Sequence, residues 1–446
     1  MRNKSKKKLT IQNPDAAGID IGATAHYVCV PEGRDKEEVK RFGVFTEDLY
    51  DLADWLKKCR VKTVAMESTG VFWIPLFQVL EKRGFEVKLV NARYVKNVPG
   101  RGKSDVQDCR WIQKLHSYGL LAGSFRPDDQ ICVLRSYMRQ REALKKSACV
   151  HINRMQKALT QMNLQLPRVL SDITGVTGLR IIRAILDGER DPAKLAALRN
   201  HRVKSSEETI CKALQGDWRL EHLFVLQQEF ALYMTYQEKI EQCDQQIARY
   251  YESFETKANT QNPPPTKKIH PKGQPPFDLR ETLYRITGID LTTIPGLDVL
   301  SAQVILSEVG LDMSRWPTEK HFASWLGLSP CLKISGERVL SSQTRKVKSR
   351  ASIAFRLAAF SVMRSQNAVG AFARRLKTRL GAPMAITATA HKIACIFYRT
   401  LRYGRMYVDV GVEYYDKRYR ERLERSLKKR AATLGFKLVP EGALSG

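Results

Sequence analysis

Four carboxylates in the first quarter of the chain occur in an order that suits metal-dependent catalysis. Asp20 lies inside an apolar run that is typical of a strand, and Glu67 ends a second such run. Asp105 and Asp108 follow in a helical segment, where residues three positions apart share one face. Burying an aspartate within Gly-Ile-Asp-Ile-Gly costs free energy unless a partner or a metal ion compensates its charge. The order of strand, strand end and helix therefore predicts a metal-dependent site for phosphoryl transfer.

The chemistry of such a site explains why carboxylates are suitable. Two divalent cations close together can activate an attacking oxygen and stabilise a leaving one. Mg²⁺ prefers oxygen ligands in octahedral geometry, and Mn²⁺ is the alternative. Asp20 is expected to bridge the cations from a central strand, with Glu67 facing the same edge of the sheet. An Asp-x-x-Asp pair alone is typical of a solvated helix face, so the metal interpretation depends on all four carboxylates occurring in the order that a ribonuclease-H-type site needs.

The charge of the chain indicates a polyanionic partner. Its 446 residues contain 75 Lys and Arg against 46 Asp and Glu, which gives a formal net charge of +29. Each neutralised phosphate releases counterions, so an excess of this size favours nucleic acid. A ribosome-like protein and a membrane-surface protein are the alternatives. No run of about 18 apolar residues occurs, so the sequence does not predict a membrane span.

Cysteine usage and the N-terminus indicate a reduced, cytosolic protein. The nine cysteines are scattered and form no Cys-x-x-Cys pair, which argues against a zinc site and a disulfide framework. The basic segment 1–8 lacks the apolar stretch of a signal peptide and predicts a flexible arm.

The pattern of apolar residues predicts an α/β domain followed by helical regions. Strands are expected at 17–30, 38–45, 61–66 and 86–90, with helices from Thr46 and over 71–83. This β-β-α-β-α-β order indicates an α/β sandwich with a mixed sheet. A helix over 131–166 carries a basic stripe that is expected to hold RNA or DNA backbones, through Arg135, Arg139, Lys145 and Arg154.

Further along, a heptad of apolar residues predicts a long helix with a coiled-coil seam. Its members, seven positions apart, are Leu226, Tyr233, Ile240, Ile247 and Phe254. This seam favours a dimer contact, with a spacer as the alternative. A Pro-rich linker follows, then a second compact helical region that ends in a helix over 383–402. The charged run 414–430 is either a solvated helix or a phosphate-binding segment.

A second group of residues lies in the last third of the chain. The Pro295-Gly296 pair between two short helical segments resembles a helix-hairpin-helix, whose helix N-termini can hold DNA phosphates. A plain helical turn is the alternative. Ser335 precedes a glycine in an expected loop, with Arg338 and further basic residues downstream. By itself such a serine would be an ordinary surface residue.

Together these residues resemble the DEDD transposases of bacterial insertion sequences, the bridge-RNA-guided serine recombinases. Two separate blocks carry the resemblance in the correct order. The N-terminal block comprises Gly18-Ile19-Asp20, residues 66–73, residues 90–92 and residues 103–108. The C-terminal block comprises residues 294–296, residues 327–330 and Ser335-Gly336.

The resemblance implies a fold and a set of roles. The N-terminal domain would be α/β and RuvC-like (RNase H fold), with Asp20, Glu67, Asp105 and Asp108 as ligands of Mg²⁺ or Mn²⁺. Ser335 would be the nucleophile that forms a phosphoserine link to DNA. The alternative positions for that nucleophile are Ser329, Ser341 and Ser342. Donor and target double-stranded DNA would pair with a structured guide (bridge) RNA, in a homo-oligomer (dimer or tetramer) whose subunits build composite sites in the bacterial cytosol or nucleoid.

The expected architecture is therefore a RuvC-like domain, a long helical (coiled-coil) middle and a mainly helical C-terminal domain with a helix-hairpin-helix-like element. The expected domains are a metal-dependent domain at 1–126, a helical region at 127–256 and a Pro-rich linker at 257–277. A transposase domain with the serine at 278–413 and a basic tail at 414–446 are expected to follow. The expected function is RNA-guided recombination that mobilises an insertion sequence. A metal-dependent junction resolvase or nuclease and a non-catalytic nucleic-acid-binding scaffold are the alternatives.

Overall fold

The computed structural model describes residues 10–68, 70–91, 104–258, 273–404, 407–409 and 411–439. The chain divides into two compact units, Met1–Arg126 and Pro127–Gly446. Outside the described residues lie the expected basic arm at 1–8, most of the Pro-rich linker and the end of the basic tail. So do three residues of the motifs that carry the family resemblance: Thr69, Ala92 and Lys103.

A mixed sheet forms the centre of the N-terminal unit, as the sequence predicts. The strands of the described part are β1 (Ala16–Ile21), β2 (His26–Cys29), β3 (Val39–Phe42), β4 (Thr63–Glu67) and β5 (Glu86–Val90). Their order across the sheet is β3-β2-β1-β4-β5. β1, β2 and β3 pair antiparallel, whereas β1, β4 and β5 pair parallel. β1 and β4 are therefore central neighbours that end at the same edge.

The prediction of one strand over 17–30 is wrong. The segment forms a hairpin, because the N–H of Gly22 donates to the carbonyl of Ala25 at 3.0 Å and reverses the chain. Alternation of apolar residues continues through both arms, so the period alone does not mark the turn. The hairpin adds a strand to the expected order and makes the sheet five-stranded in the described residues.

Helices cover both faces of this sheet. They are α1 (Thr46–Lys58), α2 (Trp73–Lys82) and α3 (Asp105–Ser117). Val64 and Met66 point into a core shared with α1 and α2. Ala65, between them in sequence, packs with Ile112 of α3 on the opposite face. Successive strand residues point to opposite faces, so alternate residues of β4 serve two separate cores.

The C-terminal unit is mostly helical. Its helices in the described residues are α4 (Asp129–Gln161), α5 (Leu166–Val169), α6 (Val176–Leu186), α7 (Pro192–Ala197), α8 (Glu207–Ala213), α9 (Leu220–Glu252), α10 (Leu279–Thr287), α11 (Val299–Val309), α12 (Glu319–Trp325), α13 (Arg350–Val362), α14 (Ala368–Leu380), α15 (Ala382–Tyr403) and α16 (Gly411–Thr433). A small hairpin joins β6 (Lys333–Ser335) to β7 (Arg338–Ser341). The helix predicted over 383–402 is confirmed as α15. None of the described helices is long and apolar enough to cross a membrane.

The two longest helices, α4 and α9, pack antiparallel within the chain. His151 Nδ1 lies 2.5 Å from Glu229 Oε2, and near the other end Arg141 Nε donates to Asp244 Oδ1 at 2.5 Å. The heptad residues Leu226, Tyr233 and Ile247 are buried in this arrangement. The helix predicted from the heptad is confirmed. These three seam residues pack inside one chain, and the expected dimer contact stays a prediction.

The basic stripe of α4 also has an internal role. Arg135 donates to the carbonyls of Ser307 and Glu308 at 3.1 and 2.7 Å. These hydrogen bonds supply partners for carbonyl groups at the C-terminal end of α11. Arg139 pairs with the Glu308 carboxylate at 3.0 Å, and Arg154 pairs with Glu229 at 3.3 Å. These arginines hold neighbouring helices, so the sequence overstates the positive charge that the stripe offers to a nucleic acid.

The element that resembles a helix-hairpin-helix is a packed helical turn. Gly296 has a φ of +81°, and a Cβ placed there would lie 2.4 Å from the carbonyl oxygen of Ala358 in α13. The carboxylate of Asp298 caps α11 by accepting from the N–H of Ser301 at 2.8 Å. A negative charge already occupies this helix N-terminus, which favours the plain turn over the predicted phosphate site.

The buried Arg141–Asp244 pair predicts a large difference in stability between two arginines of the same helix. Arg141→Ala should lower the free energy of unfolding by about 3–5 kcal/mol, because it leaves a buried carboxylate without its cation. Arg139→Ala is the matched control: Arg139 is half-exposed and Arg135 still pairs with Glu308 after its removal, so the loss should be less than about 1 kcal/mol. Urea denaturation followed by circular dichroism measures both, and equal losses would contradict the assignment.

Candidate active site

Helix α3 lies along β1 in the opposite direction. The N–H of Asn13 donates to the carbonyl of Ser117 at 2.9 Å, at the last residue of α3. Gln113 Nε2 donates to the carbonyl of Ala16 at 3.2 Å, one helical turn earlier in α3. Advancing along β1 therefore means moving back along α3 toward its first turn.

A glycine sets how closely the helix approaches the strand. A Cβ at Gly18 would lie 2.2 Å from the backbone nitrogen of Gln113 and 2.5 Å from the carbonyl oxygen of Cys109. Both atoms belong to backbone, which cannot rotate away, so only a residue without a side chain fits. A glycine inside a strand is the sequence signal for such a close approach.

Asp20 consequently faces the first turn of α3. It follows Gly18 by two residues, so the two share one face of β1. The pKa of the neighbouring Cys109 thiol is raised, mainly by its hydrogen bond with Cys29 and by burial, and the negative charge of Asp20 adds to the rise. The side chain of Asp20 is half-buried.

Glu67 reaches the same end and the same face from β4. Ile19 and Met66 are partners in the parallel pair of β1 with β4, so the residues that follow them, Asp20 and Glu67, lie side by side. Ala65, two residues before Glu67, packs on α3. Glu67 is only 4% exposed although it carries a carboxylate.

The first turn of α3 presents the remaining two carboxylates. Ser104 begins the helix, since its side chain accepts from the N–H of Gln107 at 3.3 Å. Asp105 is the first helical residue and is exposed, whereas Asp108, one turn on, is half-buried. At the far end, His116 Nε2 lies 2.9 Å from Thr63 Oγ1 of β4. Burial lowers the pKa of His116 to about 4, so the imidazole that joins α3 to the sheet is neutral.

All four predicted carboxylates therefore lie at one end of one face of the sheet. Among the described residues, no three His, Cys, Asp or Glu side chains are close enough to form a finished metal site. The donor set fits a hard cation, because every predicted ligand offers carboxylate oxygen and Glu67 is already buried. Residues 92–103, which lead into α3, lie outside the described residues.

Ser335 belongs to the C-terminal unit and lies beside the turn of the β6–β7 hairpin. The two-residue turn is Gly336-Glu337, and Gly336 has a φ of +57°, which favours glycine. Register pairs Ser335 with Arg338 and Ile334 with Val339. Ser335 and its partner arginine therefore share one face, and both are exposed.

The position of Arg338 opposite Ser335 was not predicted from the sequence. A Ser-Gly-x-Arg segment with a two-residue turn was the available signal, because it sets the first and fourth residues opposite each other. Of the alternative serines, Ser341 pairs with Lys333 and its Oγ accepts from the N–H of Gln343 at 3.3 Å. Ser329 and Ser342 lie outside the hairpin strands.

Comparison with known families agrees with this arrangement. Residues 17–164 match the DEDD transposase family model of the IS110 type, and this match includes all four carboxylates. Residues 290–374 match the transposase family IS116/IS110/IS902, and this match includes Ser335. A search of the curated proteins finds no match. The chain is thus a DNA-processing enzyme of the transposase class. It belongs to the DEDD transposases of insertion sequences, of the IS110 family.

The close approach at Gly18 predicts that a methyl group will impair the site without removing any carboxylate. Gly18→Ala should push α3 away from β1 and lower the free energy of unfolding by about 1–3 kcal/mol. A displacement of about 1 Å at Asp105 and Asp108 should slow DNA strand exchange by up to about 100-fold.

The matched control is Gly123→Ala in the same unit. Its new Cβ would meet only the flexible side chain of Lys88, at 3.2 Å. Urea denaturation and a strand-exchange assay measure the two effects. Wild-type stability and exchange in Gly18→Ala would contradict the close approach of α3.

Proposed function

We propose that this transposase is an RNA-guided DNA recombinase that cuts and rejoins donor and target DNA to mobilise its insertion sequence. The observation that supports it best is that Asp20, Glu67 and the first turn of α3 lie at the same end of one face of the sheet. The proposed fold of the N-terminal domain is RuvC-like, since a mixed sheet with carboxylates on adjacent central strands and on a covering helix suits that fold. The domain boundaries proposed for the whole chain are 1–126, 127–256, 257–277, 278–413 and 414–446.

In this proposal Asp20, Glu67, Asp105 and Asp108 hold Mg²⁺ or Mn²⁺. The bound cations supply Lewis-acid activation and neutralise charge on the phosphate. The sheet and α3 keep the carboxylates in place, since two ligands come from adjacent strands and two from a helix fixed to both strands. Burial of Glu67 limits access of water to its side of the site.

Ser335 attacks the scissile phosphorus in the proposed reaction. A bond forms between Oγ and phosphorus while the bond from phosphorus to the leaving ester oxygen breaks. The serine gives up its proton, and the leaving oxygen takes one up and departs as the hydroxyl of the cut strand. Attack of an incoming strand hydroxyl on the phosphoserine reverses these steps and rejoins DNA. Arg338, opposite Ser335, is suited to bind a non-bridging oxygen and to offset the developing charge.

The proposed partners are double-stranded donor and target DNA, a structured guide RNA and further copies of this chain. The net charge of +29 supports polyanionic partners. A composite site requires Ser335 of one subunit and the carboxylates of another. Because Leu226, Tyr233 and Ile247 are buried within one chain, the proposed oligomer would use residues that this packing leaves exposed.

The first test of the proposal removes one charge from the site. Asp20→Asn should reduce strand exchange by more than about 100-fold while circular dichroism and urea stability stay near wild type, because metal ligation depends on the charge more than packing does. Asp51→Asn, at an exposed position of α1, is the matched control. Exchange by Asp20→Asn at near the wild-type rate in Mg²⁺ or Mn²⁺ would sink the metal-site proposal.

The second test asks for the covalent intermediate. Ser335→Ala should abolish a protein–DNA adduct that survives denaturation, while nucleic-acid binding remains. The measurement is a denaturing gel with labelled DNA from the ends of the element and the RNA that co-purifies with the protein. An adduct that persists in Ser335→Ala but disappears in Ser341→Ala or Ser342→Ala would move the nucleophile. Metal-dependent cutting without any adduct would favour the nuclease alternative, and binding without cutting would favour the scaffold.

Mixing the two inactive variants tests the composite site. If sites form between subunits, Asp20→Asn mixed with Ser335→Ala should recover part of the activity, since some oligomers regain one complete site. Gel filtration of each variant serves as the control for assembly. No recovery, with normal assembly of both variants, would mean that each site forms within one chain.

A further inference from the structure

Two strongly basic helices lie against each other at the C-terminal end of the chain. Helix α14 contains four basic residues and no acidic one: Arg374, Arg375, Lys377 and Arg379. Helix α16 contains four acidic residues and twice as many basic ones: Lys417, Arg418, Arg420, Arg422, Arg425, Lys428, Lys429 and Arg430. Like charges at this density repel, so their association needs a specific cause.

Cations on aromatic rings hold α16 in place. The guanidinium of Arg375 lies 3.7 Å from the ring centre of Tyr419 and 5.3 Å from that of Tyr415, and its Nη2 donates to Asp416 at 2.8 Å. Lys392 of α15 lies 5.4 Å from the ring centre of Tyr415. No described residue of α16 is buried. The attachment therefore depends on these polar contacts more than on a hydrophobic core.

A cleft of about 660 Å³ lies between α14 and α16. Four arginines line it together with a single acid, Asp416, which Arg375 already engages. Arg374 is also engaged, because it donates to the carbonyls of Met363 and Ser365. The other two are Arg379 and Arg422.

Arg379 and Arg422 give the cleft its available charge. Both are exposed, and neither has an ion pair among the residues that the structure describes. Nearby, burial lowers the pKa of Lys392, and the positive charge of Arg422 lowers it further. The cleft is therefore positive and is not neutralised by the acids around it.

We propose that this cleft binds the phosphate backbone of one strand of DNA, with Arg379 and Arg422 as phosphate ligands from its two sides. A phosphodiester backbone brings evenly spaced negative charges and needs no buried apolar surface. The cleft is too small for a whole duplex, but the backbone of one strand of a duplex could enter it. By neutralising the repulsion between α14 and α16, the bound strand also secures α16. The proposal rests on the assignment of the chain to DNA-processing enzymes and on neither the serine nucleophile nor the guide RNA.

The test is equilibrium binding of labelled duplex DNA to the full chain, by fluorescence anisotropy over a series of salt concentrations without divalent metal. Arg379→Gln with Arg422→Gln should weaken binding by about tenfold at low salt and reduce the slope of log affinity against log salt by about 2. The charge-matched control is Lys377→Gln with Arg420→Gln, on the same two helices but away from the cleft lining. Its slope should change by less than half as much.

A second measurement follows the attachment of α16. Trypsin cleavage within α16 should slow when DNA is added to the wild-type chain, and added DNA should give no such protection in the Arg379 and Arg422 double variant. Equal effects of the two double variants on affinity would overturn the proposal, since only diffuse charge would then act. An effect of the cleft variant on RNA binding alone would overturn DNA as the ligand. Because the assay contains no metal and requires no cutting, its failure would leave the proposed catalytic site untouched.

Discussion

The approach of α3 to β1 at Gly18 is the constraint on which the candidate site depends. Backbone meets backbone there, which sets the distance between the helix and the strand. The contacts of Gln113 with Ala16 and of Asn13 with Ser117 set the alignment, which brings the first turn of α3 level with the end of β1. The parallel pairing of β1 with β4 then sets Glu67 beside Asp20. The four carboxylates thus lie at one end of one face of the sheet because of one missing side chain and one strand register.

Positive charge has two different uses in this protein. Arg135, Arg139 and Arg141 face other helices and hold the C-terminal unit together through carbonyls and carboxylates. Arg379 and Arg422 line a cleft with no acid paired to them among the described residues. The count of 75 Lys and Arg therefore exceeds the number of cations that a nucleic acid can meet, and the location of each arginine decides its role.

The hairpin that carries Ser335 is exposed on both faces. Ser335 and Arg338 occupy one face, and the apolar pair Ile334 and Val339 occupies the other, at 58% and 54% exposure. A two-stranded hairpin gains little stability alone. This exposure leaves Ser335 accessible to the DNA that it would attack in the proposed reaction.

The apolar faces, the helix from Thr46, the strand over 86–90 and the order of the four carboxylates could all be predicted from the sequence. The sequence did not predict the hairpin turn at Gly22, the helix that packs on the α9 seam or the acids that pair with the arginines of α4. Nor did it predict the contact between Gly296 and the backbone of α13. The physical reason is common to all of these. The period of apolar residues indicates which face of an element must be covered. The element that covers it depends on contacts between residues far apart in the chain, and these become visible only in the folded protein.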